Sequence, residues 1–249
     1  MERKYWVPAI DRANAVLTKI ASNPSSLKLM ELSAQTGINK STMFSLLQTL
    51  EALEWVKRDQ GDTYSLGAAF AFFGNAYFAS FDLVKQFLSL AAEYVERIGE
   101  TLQIARLERG EIIYLAKKEA PSPVRLLSEP GMRMPAYATA MGKMLLSALS
   151  DNDIADLYGN APFQAYTANT LSTVEALTDH LKTVRASGFA VDSEEIVPGF
   201  VCVAAPIYDR AGNIIAATSF SMPAHHWEEK REAAIAEIGN FARRLSTSL

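Results

Sequence analysis

A single cysteine, Cys202, stands among the 249 residues, so no disulfide can form within the chain. That scarcity fits a reducing compartment. The segment MERKYWVPAIDR lacks the apolar run of a signal peptide, and the expectation is a cytoplasmic protein. Histidine is also scarce, at three residues. Three scattered histidines and one cysteine do not build a structural zinc site, so no metal and no cofactor are expected. Strong charge of one sign is missing, with 24 Lys/Arg against 28 Asp/Glu and a net charge of −4. Long hydrophobic runs are missing as well. Residues 63–81 carry no charge, yet Thr63, Ser65, Gly67, Gly74, Asn75 and Ser80 interrupt them. This stretch reads as a packing helix rather than a membrane span.

What is present, at Leu27 to Gly67, has the pattern of a helix-turn-helix with a β-hairpin wing. Leu29 and Leu32 mark a first helix, Gly37 breaks it, and Ile38 packs the turn. Asn39 suits an N-cap, because its side chain accepts an otherwise unpaired backbone N–H. Met43, Leu47, Leu50 and Leu53 then follow a helical period. Short strands are expected at Trp55–Asp59 and Thr63–Leu66, around Gln60-Gly61-Asp62. An earlier stripe, Ile10, Ala13, Leu17 and Ile20, reads as a helix over 9–21 that Asn23-Pro24-Ser25-Ser26 ends. The expected winged domain spans 5–66. Residues 67–81, with Phe70, Phe72, Phe73, Tyr77, Phe78 and Phe81, read as a linker helix that needs burial on more than one side.

The remainder, 82–249, reads as a second domain. Leu83, Phe87, Leu90, Ala91 and Tyr94 form a helical stripe ending near Gly99. Thr101–Leu107 and Glu111–Lys117 flank a hairpin turn. Further strands are expected at Val124–Ser128, Phe189–Val191, Phe200–Tyr208 and Asn213–Ser221. Helices are expected within Pro135 to Ala148 and at Asp153–Tyr158, Val174–Ser187 and Glu228–Leu245. Hairpins mixed with helices imply an α+β domain with a largely antiparallel sheet.

A short helix pair with a wing is the geometry that enters a DNA major groove. With the apolar face turned inward, the second helix offers Lys40, Ser41, Thr42, Phe44, Ser45 and Gln48. Lys40 and Ser41 lie at the helix N-terminus, where N–H groups favour a phosphate. Gln48 can pair bidentately with adenine, and Phe44 can touch a thymine methyl. Lys57 and Arg58 of the wing suit phosphate contacts. Residues 1–65 carry eight basic and seven acidic side chains, a net +1. Affinity for double-stranded operator DNA must therefore come from local placement and paired half-sites.

Three segments resemble the IclR family of bacterial transcription regulators. They are LMELSAQTGINKSTMFSLLQTLEALEWVKRDQGDTYSLG at 29–67, PAYATAMGKMLLSAL at 135–149, and GFAVDSEEIVPGFVCVAAPIYDRAGNIIAATSFSMP at 188–223. The resemblance implies a winged helix-turn-helix, a linker helix, a GAF-like effector-binding domain, and homodimers or homotetramers on DNA. It implies that Ala140, Met141, Asp192, Cys202, Ser219 and Ser221 line an effector pocket. Family members often carry arginine where Ser45 and Gln48 stand here, which points to a different operator sequence.

The residues themselves add detail. Thr139 can cap a helix and leave the N–H groups of Ala140 and Met141 unpaired, which suits a ligand carboxylate or oxo-acid. Ser219 and Ser221 alternate on one strand and share a face. Taken alone, each could instead be ordinary core or edge. Two other functions draw on parts of the sequence. An enzyme would use Cys202 as nucleophile with His180, His225 or His226 as base and Asp192 as orienter, but Cys202 lies in the apolar run Val201-Cys202-Val203-Ala204-Ala205. A sensor that signals without DNA rests only on the near-neutral N-terminal domain. The expectation is a ligand-responsive DNA-binding regulator with no catalytic residues.

Overall fold

The computed structural model describes residues 7–79, 82–122, 126, 128–159 and 162–247. The chain divides into two compact units, residues 1–80 and 81–249.

The first unit holds α1 (Pro8–Ser22), α2 (Leu29–Thr36), α3 (Lys40–Ala52), β1 (Val56–Arg58), β2 (Tyr64–Leu66) and α4 (Ala69–Ala79). Pro8 begins α1, where its missing N–H costs nothing. That helix buries Ala13, Val16 and Ile20, while Ile10 is 64% exposed. The expected stripe is therefore rotated: Val16 is buried, Leu17 packs half-buried against the core, and Ile10 faces outward. Gly37 closes α2 in the left-handed conformation, φ +72°. Asn39 Oδ1 accepts the Thr42 N–H at 2.9 Å and starts α3. Met43, Leu47 and Leu50 are buried with Leu27, Leu32, Ile38, Val56 and Tyr64. Leu53 is not among them. It caps the C-terminus of α3 and stays exposed, because the helix ends before Leu53 can turn inward.

The wing strands are three residues each, shorter than expected, and pair antiparallel with Val56 opposite Leu66. Trp55 then packs edge-on against Phe70 and Phe73 of α4, at 5.9 and 6.2 Å between ring centroids. Only part of α4 is covered within this unit, and Phe72 is 71% exposed.

The second unit is built on one six-stranded antiparallel sheet. Its strands are β3 (Thr101–Glu108), β4 (Glu111–Lys118), β5 (Arg133–Pro135), β6 (Ala190–Ser193), β7 (Phe200–Tyr208) and β8 (Ile214–Pro223). The spatial order is β5-β4-β3-β8-β7-β6. On one face lie α5 (Asp82–Ile98) and α9 (Ala224–Ser246), joined through Phe87, Tyr94 and Phe241. The other face carries α6 (Ala140–Leu146), with α7 (Asp151–Tyr158) and α8 (Val174–Ser187) beyond it.

Several boundaries moved. β5 was not foreseen. The helix expected within Pro135 to Ala148 is a 3-10 turn at Ala136–Ala138 followed by α6. The strand expected at Val124–Ser128 falls largely outside the described residues, and Leu126 and Ser128 belong to no strand.

Candidate functional site

On the first unit, the outward side of α3 presents Lys40, Ser41, Phe44, Ser45 and Gln48, all exposed, with Thr42 half-buried. The N-cap organises this end. Asn39 Oδ1 also accepts from Ser41 Oγ at 2.9 Å, and Ser45 Oγ donates back to the Ser41 carbonyl at 3.2 Å. Phe44 is 56% exposed and lines a shallow depression with Leu29, Asn39, Lys40, Ser41 and Ser45. An exposed aromatic beside a lysine and two hydroxyls suits a surface with both apolar and phosphate features. In the wing, Lys57 pairs with Asp59 at 3.7 Å and Arg58 with Asp62 at 2.6 Å. Arg58 and Asp62 are both exposed, while Lys57 is exposed and Asp59 is mostly covered, so the cations are held weakly at the surface.

On the second unit, sheet register assembles the pocket. Asp192 on β6 pairs with Cys202 on β7, Cys202 with Ser221 on β8, and Ser221 with Thr101 on β3. In the next inward-facing row, Ala204 pairs with Ser219 and Ser219 with Gln103. Cross-strand partners point to the same side of a sheet. The start of α6 closes over these rows. Thr139 Oγ1 accepts the Gly142 N–H at 3.1 Å, and the first-turn N–H groups of Ala140 and Met141 have no helical acceptor.

A narrow, partly open cavity of about 20 Å³ results. Ala140, Met141, Asp192, Cys202, Ser219 and Ser221 all line it. So do Gln103, Tyr114, Met134 and Phe200, which sequence reasoning missed. Gln103 sat in an ordinary-looking strand, and only its register opposite Ser219 could have flagged it. A hydrogen-bond chain runs through this amide. The Cys202 thiol and Ser221 hydroxyl are 3.1 Å apart, Ser221 donates to Gln103 Oε1 at 3.1 Å, and Gln103 Nε2 donates to Ser128 Oγ at 2.6 Å.

Beneath the cavity lies a buried ion pair. Lys143 is fully buried and donates to Glu195 and, at 2.6 Å, to the Val191 carbonyl. Asp192 Oδ1 accepts the Glu195 N–H at 2.7 Å, so this acid shapes the turn after β6 as well as the cavity wall. Burial pushes the Asp192 carboxyl up to about 7, against the pull of Lys143 and of that N–H. Burial also pushes the Cys202 thiol far up, with nearby Asp192 adding to the effect.

Thiolate chemistry at Cys202 is therefore disfavoured. Among the described residues no histidine hydrogen-bonds Cys202. His226 binds Glu100 at 2.7 Å, His225 packs edge-on against His226, and His180 Nε2 is buried without a hydrogen-bond partner. No cluster of His, Cys, Asp and Glu among the described residues could hold a metal ion. No helix among them is long and apolar enough to cross a membrane.

Two family profiles match the chain. The IclR helix-turn-helix domain covers residues 9–60, and the bacterial transcriptional regulator IclR C-terminal domain covers 75–247. The HTH-type transcriptional repressor AllR of Salmonella typhimurium is 32% identical over 247 residues, 97% of this chain and 89% of its own length. The IclR transcriptional regulator of Alicyclobacillus acidocaldarius superposes with a TM-score of 0.81 at 26% identity, covering 98% of this chain and 99% of that one. An IclR homologue from Microbacterium hydrocarbonoxydans, solved with 4-hydroxybenzoate, has the same fold, with a TM-score of 0.74 at 20% identity over 95% of this chain and 99% of that one.

Proposed function

The chain belongs to the IclR family of bacterial transcriptional regulators, and on that premise we propose that it is a repressor released from its operator by a small carboxylate or oxo-acid. DNA binding and transcription regulation come with the family. The ligand, its sign of action and the residues that serve each step are our reading.

The observation that carries the ligand half is convergence. Six side chains from α6, β6, β7 and β8 line one cavity. Serine hydroxyls, the first-turn N–H groups of Ala140 and Met141, and the Gln103 amide suit oxygen atoms of a ligand. Met134, Met141 and Phe200 suit its apolar part. The cavity's space is about 20 Å³, roughly one water in size. A ligand therefore has to be small, and the wall has to yield. Flexible methionines allow that. The relative named a repressor supports the sign, and the homologue solved with 4-hydroxybenzoate supports an aryl or alkyl carboxylate as the ligand class.

For the DNA half, Lys40, Ser41, Thr42, Phe44, Ser45 and Gln48 meet the major groove, and Lys57 and Arg58 meet phosphates. The exposed Phe72 and Phe73 of α4 suit contact with a second copy of the chain, giving a homodimer or homotetramer. Paired recognition helices bind half-sites at fixed spacing. A ligand that favours a different spacing lowers operator affinity by the coupling energy between the two sites.

A thermal-shift screen of small organic acids, followed by operator release for each hit, tests the reading. At least one acid should raise the melting temperature and weaken operator binding. Ligand binding that leaves operator affinity unchanged removes the allosteric half. No binding to duplex DNA even at low salt favours a sensor that acts through protein contacts.

A further inference from the structure

The ionisable side chains among the described lining residues are all acids: Asp192, Tyr114 and Cys202. No lysine, arginine or histidine joins them there. The adjacent cation, Lys143 of α6, is already engaged by Glu195 and the Val191 carbonyl. Glu195 Oε2 is buried with no hydrogen-bond partner, so one carboxylate oxygen below the cavity is uncompensated. His180 of α8 adds no positive charge near neutral pH, because burial and the Lys143 ammonium both depress its pKa.

Among the described residues, the charged and titratable groups around Asp192 come from several elements. Lys143 faces it from α6, Glu195 from the turn after β6, Cys202 from β7 and Tyr114 from β4. β8 contributes the uncharged hydroxyls of Ser219 and Ser221. A carboxylate that enters this cavity meets Asp192, with no cation among the described lining residues. Two carboxylates at close range do not both stay ionised, and one proton is shared between them.

We propose that the cavity takes up a small carboxylate together with one proton, held between the ligand and the Asp192 carboxyl, so that effector affinity falls as pH rises. This rests on the reading of the cavity as a carboxylate site. The proton comes from solvent, and the only bond formed is the O–H of the shared acid. Asp192 is suited to the task, since burial holds its carboxyl at about 7 before any ligand arrives.

Calorimetry on the full chain tests this, with pyruvate and 2-oxobutyrate as probes in two buffers of different ionisation enthalpy. Uptake should approach one proton at about pH 8.5 and be small at about pH 6, with affinity about 30-fold weaker at the higher pH. Asp192→Asn keeps an oxygen for the Glu195 N–H and replaces the acid O–H with an amide donor. It should bind with no proton uptake and a flat pH profile. Binding to the wild type without proton uptake at about pH 8.5 overturns the proposal and leaves the carboxylate reading standing. Equal uptake by Asp192→Asn does the same. Failure of both acids to bind at about pH 6 overturns both. If the variant does not fold, the wild-type proton count decides.

Discussion

Gly142 lies so close over Ala136 that a Cβ at position 142 would come to 2.2 Å from the Ala136 carbonyl oxygen. The first turn of α6 crosses the 3-10 turn before it at backbone contact distance. Gly142 also donates the N–H that Thr139 caps. Close approach of backbone and capping therefore meet at one residue, and together they hold Ala140 and Met141 at the cavity. Gly142→Ala should destabilise the second unit by about 3 kcal/mol, the upper end of the usual overpacking cost, since the clash is with backbone that no rotamer relieves. Urea unfolding followed by circular dichroism measures it.

The Lys143–Glu195 pair invites a second test. Lys143→Met leaves Glu195 charged and buried, which should cost about 3–5 kcal/mol. Adding Glu195→Gln removes that charge and should recover a large part of the loss. A double variant as unstable as the single one would show that packing, and not charge, sets the penalty.

Asp192 makes stability depend on pH. Its folded-state pKa of about 7 lies above the ordinary 3.8. Below that ordinary value both states are protonated and the group has no effect. As pH rises towards 7 the unfolded chain releases the proton while the folded one retains it, so folding loses stability. Without ligand, Asp192→Asn should therefore match the wild type near pH 4 and exceed it by a few kcal/mol above pH 7. Melting temperatures across that range give the comparison.

The Cys202 thiol should resist modification. Burial raises its pKa and its hydrogen-bonding neighbour is Ser221 rather than a base. Ellman's reagent near neutral pH should label it slowly in the folded protein and at once in urea. Fast labelling of the folded form would reopen the nucleophile reading.

Gln48→Ala should cost about 1–3 kcal/mol at one base position if the amide reads an adenine. A panel of single-base operator variants provides the readout. An equal loss across all variants would put Gln48 on phosphate instead.

Much of this molecule is legible in the sequence. Asn39, Gly37 and the Met43-Leu47-Leu50 spacing determine a capped helix and its buried side, because helical period and capping act over a few residues. Thr139 announced its cap for the same reason, and the alternation of Ser219 and Ser221 announced a shared face. Local signals were weaker at ends and surfaces. They missed Val16, overextended α3 to Leu53, and gave no sign of β5. Which strands neighbour one another is not a local property. Asp192, Cys202, Ser221 and Thr101 lie in one row only because β6, β7, β8 and β3 pair in that order and register. Gln103 reaches the cavity by the same route, and Lys143 and Glu195 meet across 52 residues of chain. The sequence by itself set the turns, caps and faces. Sheet pairing alone decided which faces meet, and with them the convergence of Asp192, Tyr114 and Cys202 on one cavity, because charge and burial there are sums over residues far apart in the chain.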